Sequence, residues 1–299
     1  RVRRIAEKME AESRAREFGI SECIGVLMLT YRDCLNSSYN STLITSIVEG
    51  LAAENCTVQL MALPVKRMNL DHIRSLVIEH GIRALIVPEF NGPYSVSNEL
   101  DRLGIPIVTI GNIELDGDKS EIVCTDNATA GSDAANYLWS CGHRRFGVIC
   151  MDRRNLCHRQ RVESFRQTVA RLGGDPDEIY LREYYHIAES LAPVVTELRN
   201  LGDRRPTALL STNSLLTLKL LNGLHDAGLR VPDDLSLLSF EEDRELAETI
   251  PPVTVLAQPT RSMGELAVRR VMKAIRGFES QNEEILRCSL VVRRSVKSI

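Results

Sequence analysis

Two polar residues stand where a protein that grips a small polar molecule would need them. Asn213 closes a turn, Ser211 to Ser214, after the apolar run Ala208-Leu209-Leu210, and Glu241 follows the next apolar run, Leu235 to Phe240. Both positions follow apolar runs that read as strands, so these two residues are the first candidates for ligand contact. Residues for covalent or metal chemistry are less well set. Cys157 and His158 are adjacent, so they rarely point at one ion, and no second pair sits at ligand spacing. His143 falls at what reads as a helix C-terminus, where it would complement the carbonyl ends. Asp233-Asp234 and Glu241-Glu242 pair carboxylates, but the first pair lies in a turn beside Pro232. No G-x-G-x-x-G follows a strand and no G-x-S-x-G occurs. The expectation is a binding protein, not an enzyme, with no cofactor and no metal.

The elements that position Asn213 and Glu241 are legible around them. Arg205 to Glu242 reads as strand, polar turn, helix, turn, strand: Leu215, Leu218, Leu221 and Leu224 recur at helical spacing, Gly228 supplies a stop, and Val231-Pro232-Asp233-Asp234 turns into the next run. Such a βαβ unit gathers ligands at the carboxyl ends of its strands. The same alternation starts at Cys23: strand Ile24 to Leu29, helix Tyr39 to Glu54, strand Thr57 to Leu63, helix Asp71 to His80, strand Ala84 to Val87, a helix around Val96 to Leu103, and strand Ile105 to Ile110. A second copy opens near Asp126, where Gly131, Ala134, Ala135 and Leu138 keep one helix face small and apolar. The fold class is therefore α/β, with two similar doubly wound parallel-sheet subdomains.

Composition narrows the classes. With 299 residues, 43% hydrophobic and 26% charged, the chain suits two ordinary globular domains, and its apolar runs fall well short of the roughly 18 residues of a membrane span. The first eighteen residues have no apolar core, so they are not a secretory signal. Eight scattered cysteines without C-x-x-C spacing read as reduced thiols of an intracellular, cytoplasmic protein. A net charge of −3 gives the body no general attraction for phosphate backbones.

Several segments, in order, resemble the LacI/GalR family of lactose, galactose and purine repressors. They include Ile24-Gly25-Val26, Gly104-Ile105-Pro106-Ile107-Val108, Val123 to Asn127, Gly142-His143-Arg144-Arg145-Phe146-Gly147, Arg161-Val162-Glu163-Ser164-Phe165 and Gly228 to Ser236. Departures from the family pattern are Ser164 and Ser239 for glycines, Ser214 for an aspartate after Asn213, and Glu241 for another aspartate. The resemblance runs from about residue 23 to 296. It implies a periplasmic-binding-protein-like core of type I, joined by a multi-crossing hinge, with a small-molecule effector buried between the subdomains. The implied division is 1–22 as headpiece remnant and hinge segment, 23–125 with 258–285 as the N-terminal subdomain, and 126–257 with 286–299 as the C-terminal one.

The family's effector contacts map onto Arg161, Asn213 and Glu241, with Asp126 from the V-x-x-D-n motif and Tyr185 as an aromatic platform. Near the start, Val2 to Met9 and Ala15-Arg16-Glu17-Phe18 are similar to the end of a DNA-binding headpiece and its hinge helix, so Ala15, Arg16 and Phe18 are the expected DNA hinge residues. Operator DNA would be met through a helix-turn-helix headpiece that nothing upstream of Val2 supplies, and by a homodimer without membrane attachment. What the resemblance implies is a transcriptional regulator of repressor type, sensing a sugar or sugar derivative. The competing class sharing the fold is an exported solute-binding protein. On the repressor reading, Arg161→Ala should abolish the ligand response and leave the fold intact.

Overall fold

Neighbouring residues of a strand point to opposite faces of its sheet, so a strand buried on both sides reads as a continuous apolar run. Leu209-Leu210 and Leu237-Leu238 show the consequence: Leu209 and Leu237 enter one core, and Leu210 and Leu238 enter another across the same sheet. The computed structural model describes residues 22–30, 38–64, 69–88, 100, 102–111, 120–185, 189–278 and 286–299. The expected hinge residues Ala15, Arg16 and Phe18, most of the helix expected around Val96, and the polar loop that follows Thr30 lie outside these residues.

The chain forms two compact units, Arg1–Cys34 with Leu43–Val123 and Arg261–Glu283, and Leu35–Thr42 with Cys124–Thr260 and Glu284–Ile299. In chain order the first sheet's elements are β1 (Cys23–Thr30), α1 (Ser38–Ala53), β2 (Thr57–Pro64), α2 (Leu70–Glu79), β3 (Ile82–Pro88), β4 (Ile107–Ile110) and β5 (Ser120–Val123). The strands pair in the order β2-β1-β3-β4-β5, all parallel. Leu27, Met61, Ile73, Leu85 and Ile107 form a core on one face of this sheet.

The second unit repeats the plan. It runs α3 (Asn127–Ser140), β6 (Phe146–Met151), α4 (Leu156–Arg171), β7 (Tyr180–Tyr184), α5 (Ala192–Asn200), β8 (Ala208–Ser211), α6 (Ser214–Asp226), β9 (Ser236–Phe240), α7 (Arg244–Glu248) and β10 (Thr254–Ala257). Helix α8 (Thr260–Ile275) then follows, and β11 (Ser289–Val291) comes last. The sheet order is β11-β10-β9-β8-β6-β7, in which β7 to β10 repeat the order of the first sheet. All pairs are parallel except β10 with β11, so the expected final strand is an antiparallel edge. The two sheets are thus doubly wound, as the alternation of strand and helix predicts. In the second sheet the winding reverses between β6 and β8, and crevices outside the carboxyl ends of strands at such a reversal are where ligands bind.

Small residues set how closely α3 and α4 pack. Gly131 lies against the Arg161 carbonyl and Ser164 Oγ, and Ala130, Ala134 and Ala135 are buried beside Val162 and Phe165. Close approach here brings the interior of α4 within reach of the first turn of α3.

One expectation is corrected. His143 does not complement a helix end: its ring is fully buried, with Nε2 3.0 Å from the Lys297 carbonyl and Nδ1 2.9 Å from Thr207 Oγ1. Burial lowers its pKa and so favours the neutral ring, and because a carbonyl only accepts, Nε2 carries a hydrogen. Arg144 serves the helix end instead, donating to the Trp139 carbonyl at 3.0 Å and stacking 3.9 Å from the Trp139 ring centre. Sequence spacing could not separate these neighbours, because the C-terminal segment around Lys297 that His143 meets is distant along the chain.

Candidate ligand-binding site

Arg161 lies inside α4 and is only 2% exposed. Its Nε donates to Asn127 Oδ1 at 2.7 Å, its Nη1 donates to the Thr212 carbonyl at 3.0 Å, and Nη1 lies 3.6 Å from Glu241 Oε1. The guanidinium also packs 4.4 Å from the centre of the Phe240 ring. A rigid, planar fork is suited to being held from several sides at once.

Glu241 leaves the end of β9 with a φ of 72°, in the left-handed region that non-glycine residues seldom occupy. Such outliers persist where surrounding bonds fix them, and Glu241 is well fixed. Its Oε2 accepts from Asn213 Nδ2 at 3.1 Å, from the Ser214 amide at 3.1 Å and from Ser214 Oγ at 3.2 Å. Burial pushes its carboxyl up from the ordinary value, while Arg161 and the Ser214 donors pull it back. Ser214, where the family has an aspartate, thus supplies donors in place of a second carboxylate.

Asn213 has two tasks. Its Oδ1 caps α6 by accepting from the Leu216 amide at 3.1 Å, and its Nδ2 holds Glu241. Asp126 caps α3, with Oδ1 accepting from the Thr129 amide at 2.8 Å and Oδ2 from Thr129 Oγ1 at 2.6 Å. Burial alone would raise its carboxyl; the two bonds from Thr129 outweigh that and lower it.

Arg161, Asn213 and Glu241 are therefore brought together, and Asp126 stands next to Asn127, which bonds Arg161. Tyr185 is not brought to them: it is 61% exposed, its amide donates to Glu189 Oε1 at 2.8 Å, and its ring centre lies 5.5 Å from the Arg154 guanidinium. Sequence reasoning missed Asn127, the Thr212 carbonyl, Phe240 and His158 as parts of the arrangement. Asn127 sits in a motif already singled out, next to Asp126, and that adjacency was the available signal.

His158 lies one helical turn before Arg161, and its Nδ1 is buried without a hydrogen-bond partner among the described residues. Burial, reinforced by the Arg161 charge and opposed by Asp152, lowers its pKa from 6.5 to about 3. An unfolded imidazole binds a proton near its ordinary value, so between those two values the unfolded chain holds more protons and stability falls as pH falls. His158→Gln should flatten that loss between about pH 6.5 and 4. Urea midpoints measured across this range check it, and an unchanged slope would mean that His158 is not held neutral. Among the described residues no group of three or more histidine, cysteine, aspartate or glutamate side chains is placed to hold a metal ion.

A buried cation and carboxylate compensate each other at the carboxyl ends of β8 and β9, beside the reversal of winding. A doubly wound unit with such a site defines a ligand-binding core. Residues 135–296 match the model of the periplasmic binding protein-like domain, more than half of the chain. The chain is 27% identical over 226 residues to the HTH-type transcriptional repressor CytR of Escherichia coli strain K12, covering 75% of this chain and 65% of that protein. It is 30% identical over 180 residues to the HTH-type transcriptional regulator DegA of Bacillus subtilis strain 168, covering 60% of this chain and 53% of that one. A LacI family regulator from Enterococcus faecium solved with bound ribose superposes with a TM-score of 0.78 at 21% identity, over 93% of this chain and all of that one. The chain belongs to the periplasmic binding protein-like family, as a core of the LacI/GalR type. It spans about two-thirds or less of the length of these two curated relatives, both of them HTH-type transcriptional regulators.

Proposed function

We propose that the second unit binds a small, uncharged, polyhydroxylated effector, a sugar or sugar derivative, and that this binding sets the operator affinity of a repressor of which this chain is the sensing part. The observation that carries the ligand class is the buried Arg161 and Glu241 pair, 3.6 Å apart, with Asn213 beside it. Because each charge already faces its opposite, an added carboxylate or phosphate would find no uncompensated cation there, whereas a hydroxyl both donates and accepts. The likeness to CytR and to a ribose-bound regulator supports the same reading. On this reading the protein works in the cytoplasm as a homodimer on paired half-sites, with Asp126 as the outlying member of the site.

Thermal unfolding against pentoses, hexoses, polyols, nucleosides, sugar acids and sugar phosphates tests it. A ligand at a hundred times its dissociation constant adds about 2.7 kcal/mol to the native state, a shift of about 5 °C or more. The expected result is a shift with neutral sugars or nucleosides and none with their acids or phosphates. Shifts confined to the anionic compounds would overturn the assignment.

A further inference from the structure

Asn127 is 2% exposed and begins α3, and both ends of its side-chain amide are engaged. Oδ1 accepts from Arg161 Nε at 2.7 Å, and Nδ2 donates to the Thr125 carbonyl at 3.1 Å. Thr125 in turn meets two other segments. Its Oγ1 donates to Gln258 Oε1 at 3.2 Å, and its backbone forms a parallel bridge with Leu286, next to the bond from the Asp126 amide to the Leu286 carbonyl at 2.9 Å. These residues have a common property. Three of the five passages of the chain from one compact unit to the other fall after Val123, after Thr260 and after Glu283, and Thr125, Gln258 and Leu286 each lie within a few residues of one of these.

The geometry points to Asn127 as a positioning residue that couples the Arg161 guanidinium to three of the segments through which the chain passes between its units. A buried amide with one donor bond and one acceptor bond has a fixed orientation, since flipping it would set donor against donor at Arg161 and acceptor against acceptor at Thr125. Any shift of Arg161 is therefore felt at Thr125 through two hydrogen bonds, one of them charge-assisted. This inference names how the effector reading of Arg161 would be transmitted, but its test is independent of any ligand.

Amide hydrogen exchange at Asp126 is the readout, because that amide bonds Leu286 directly. Four full chains are compared: the parent, Asn127→Ala, Arg161→Met combined with Glu241→Gln so that both charges leave together, and all three substitutions. Global stability, measured by urea unfolding, is used to correct each rate. With Asn127 present, loss of the pair should speed exchange at Asp126 by about tenfold; in the Asn127→Ala background the added effect should be about twofold or less, the non-additivity expected of groups in one network. Equal acceleration with and without Asn127, or no acceleration at all, would overturn the inference. Ribose binding to the parent, measured separately, reads the effector proposal: non-additive exchange in a chain that binds no sugar retains the coupling and removes the sugar.

Discussion

Replacing Arg161 with alanine will destabilise the protein by about 3–5 kcal/mol as well as remove its response to ligand. From the sequence alone the substitution looks neutral to the fold, because an arginine within a helix is usually on the surface. The structure changes that expectation: with the guanidinium gone, Glu241 keeps a buried carboxylate that has lost its paired cation, and Asn127 Oδ1 and the Thr212 carbonyl lose the bonds Arg161 donates. Removing one partner of a buried pair costs far more than removing both, so adding Glu241→Gln to Arg161→Ala should recover part of the loss. Urea unfolding of the two variants measures it. A loss under about 1 kcal/mol for Arg161→Ala would show that the carboxylate is not confined as described.

Gly131→Ala should be the second large effect, and its sign is informative. In an exposed helix interior, glycine to alanine stabilises by about 0.5–1 kcal/mol. At this position the added methyl group would collide with the Arg161 carbonyl oxygen and with Ser164 Oγ. A serine can rotate, but a helix carbonyl cannot, so α4 must move away from α3. Overpacking of this kind costs about 1–3 kcal/mol, which outweighs the helix gain. The same displacement pulls Arg161 Nε away from Asn127, so ligand affinity should fall with stability. A more stable Gly131→Ala protein would mean that the two helices are not held as closely as the packing indicates.

Most of the fold was legible because its signals are local. Alternating apolar runs and helical spacing specify a parallel doubly wound sheet without knowledge of any contact, and the turns after β8 and β9 place Asn213 and Glu241 at strand ends. Asn213 as a helix cap was equally readable, since capping uses residues three apart. The antiparallel edge strand β11 was not, because nothing in three residues, Ser289–Val291, states the direction in which they will pair.

The sequence by itself determined the alternation, the repeated plan and the residue types available at the strand ends. Only the tertiary structure decided which of them meet. Arg161 reaches Asn127 and Thr212, 34 and 51 residues away along the chain, because small side chains on α3 let α4 approach and because the sheet order sets β6 beside β8. Burial and pairing then follow from that encounter. The same arginine on an exposed turn of helix would be a solvated charge; here, 2% exposed, it is paired with Glu241 and bonded to Asn127 and Thr212.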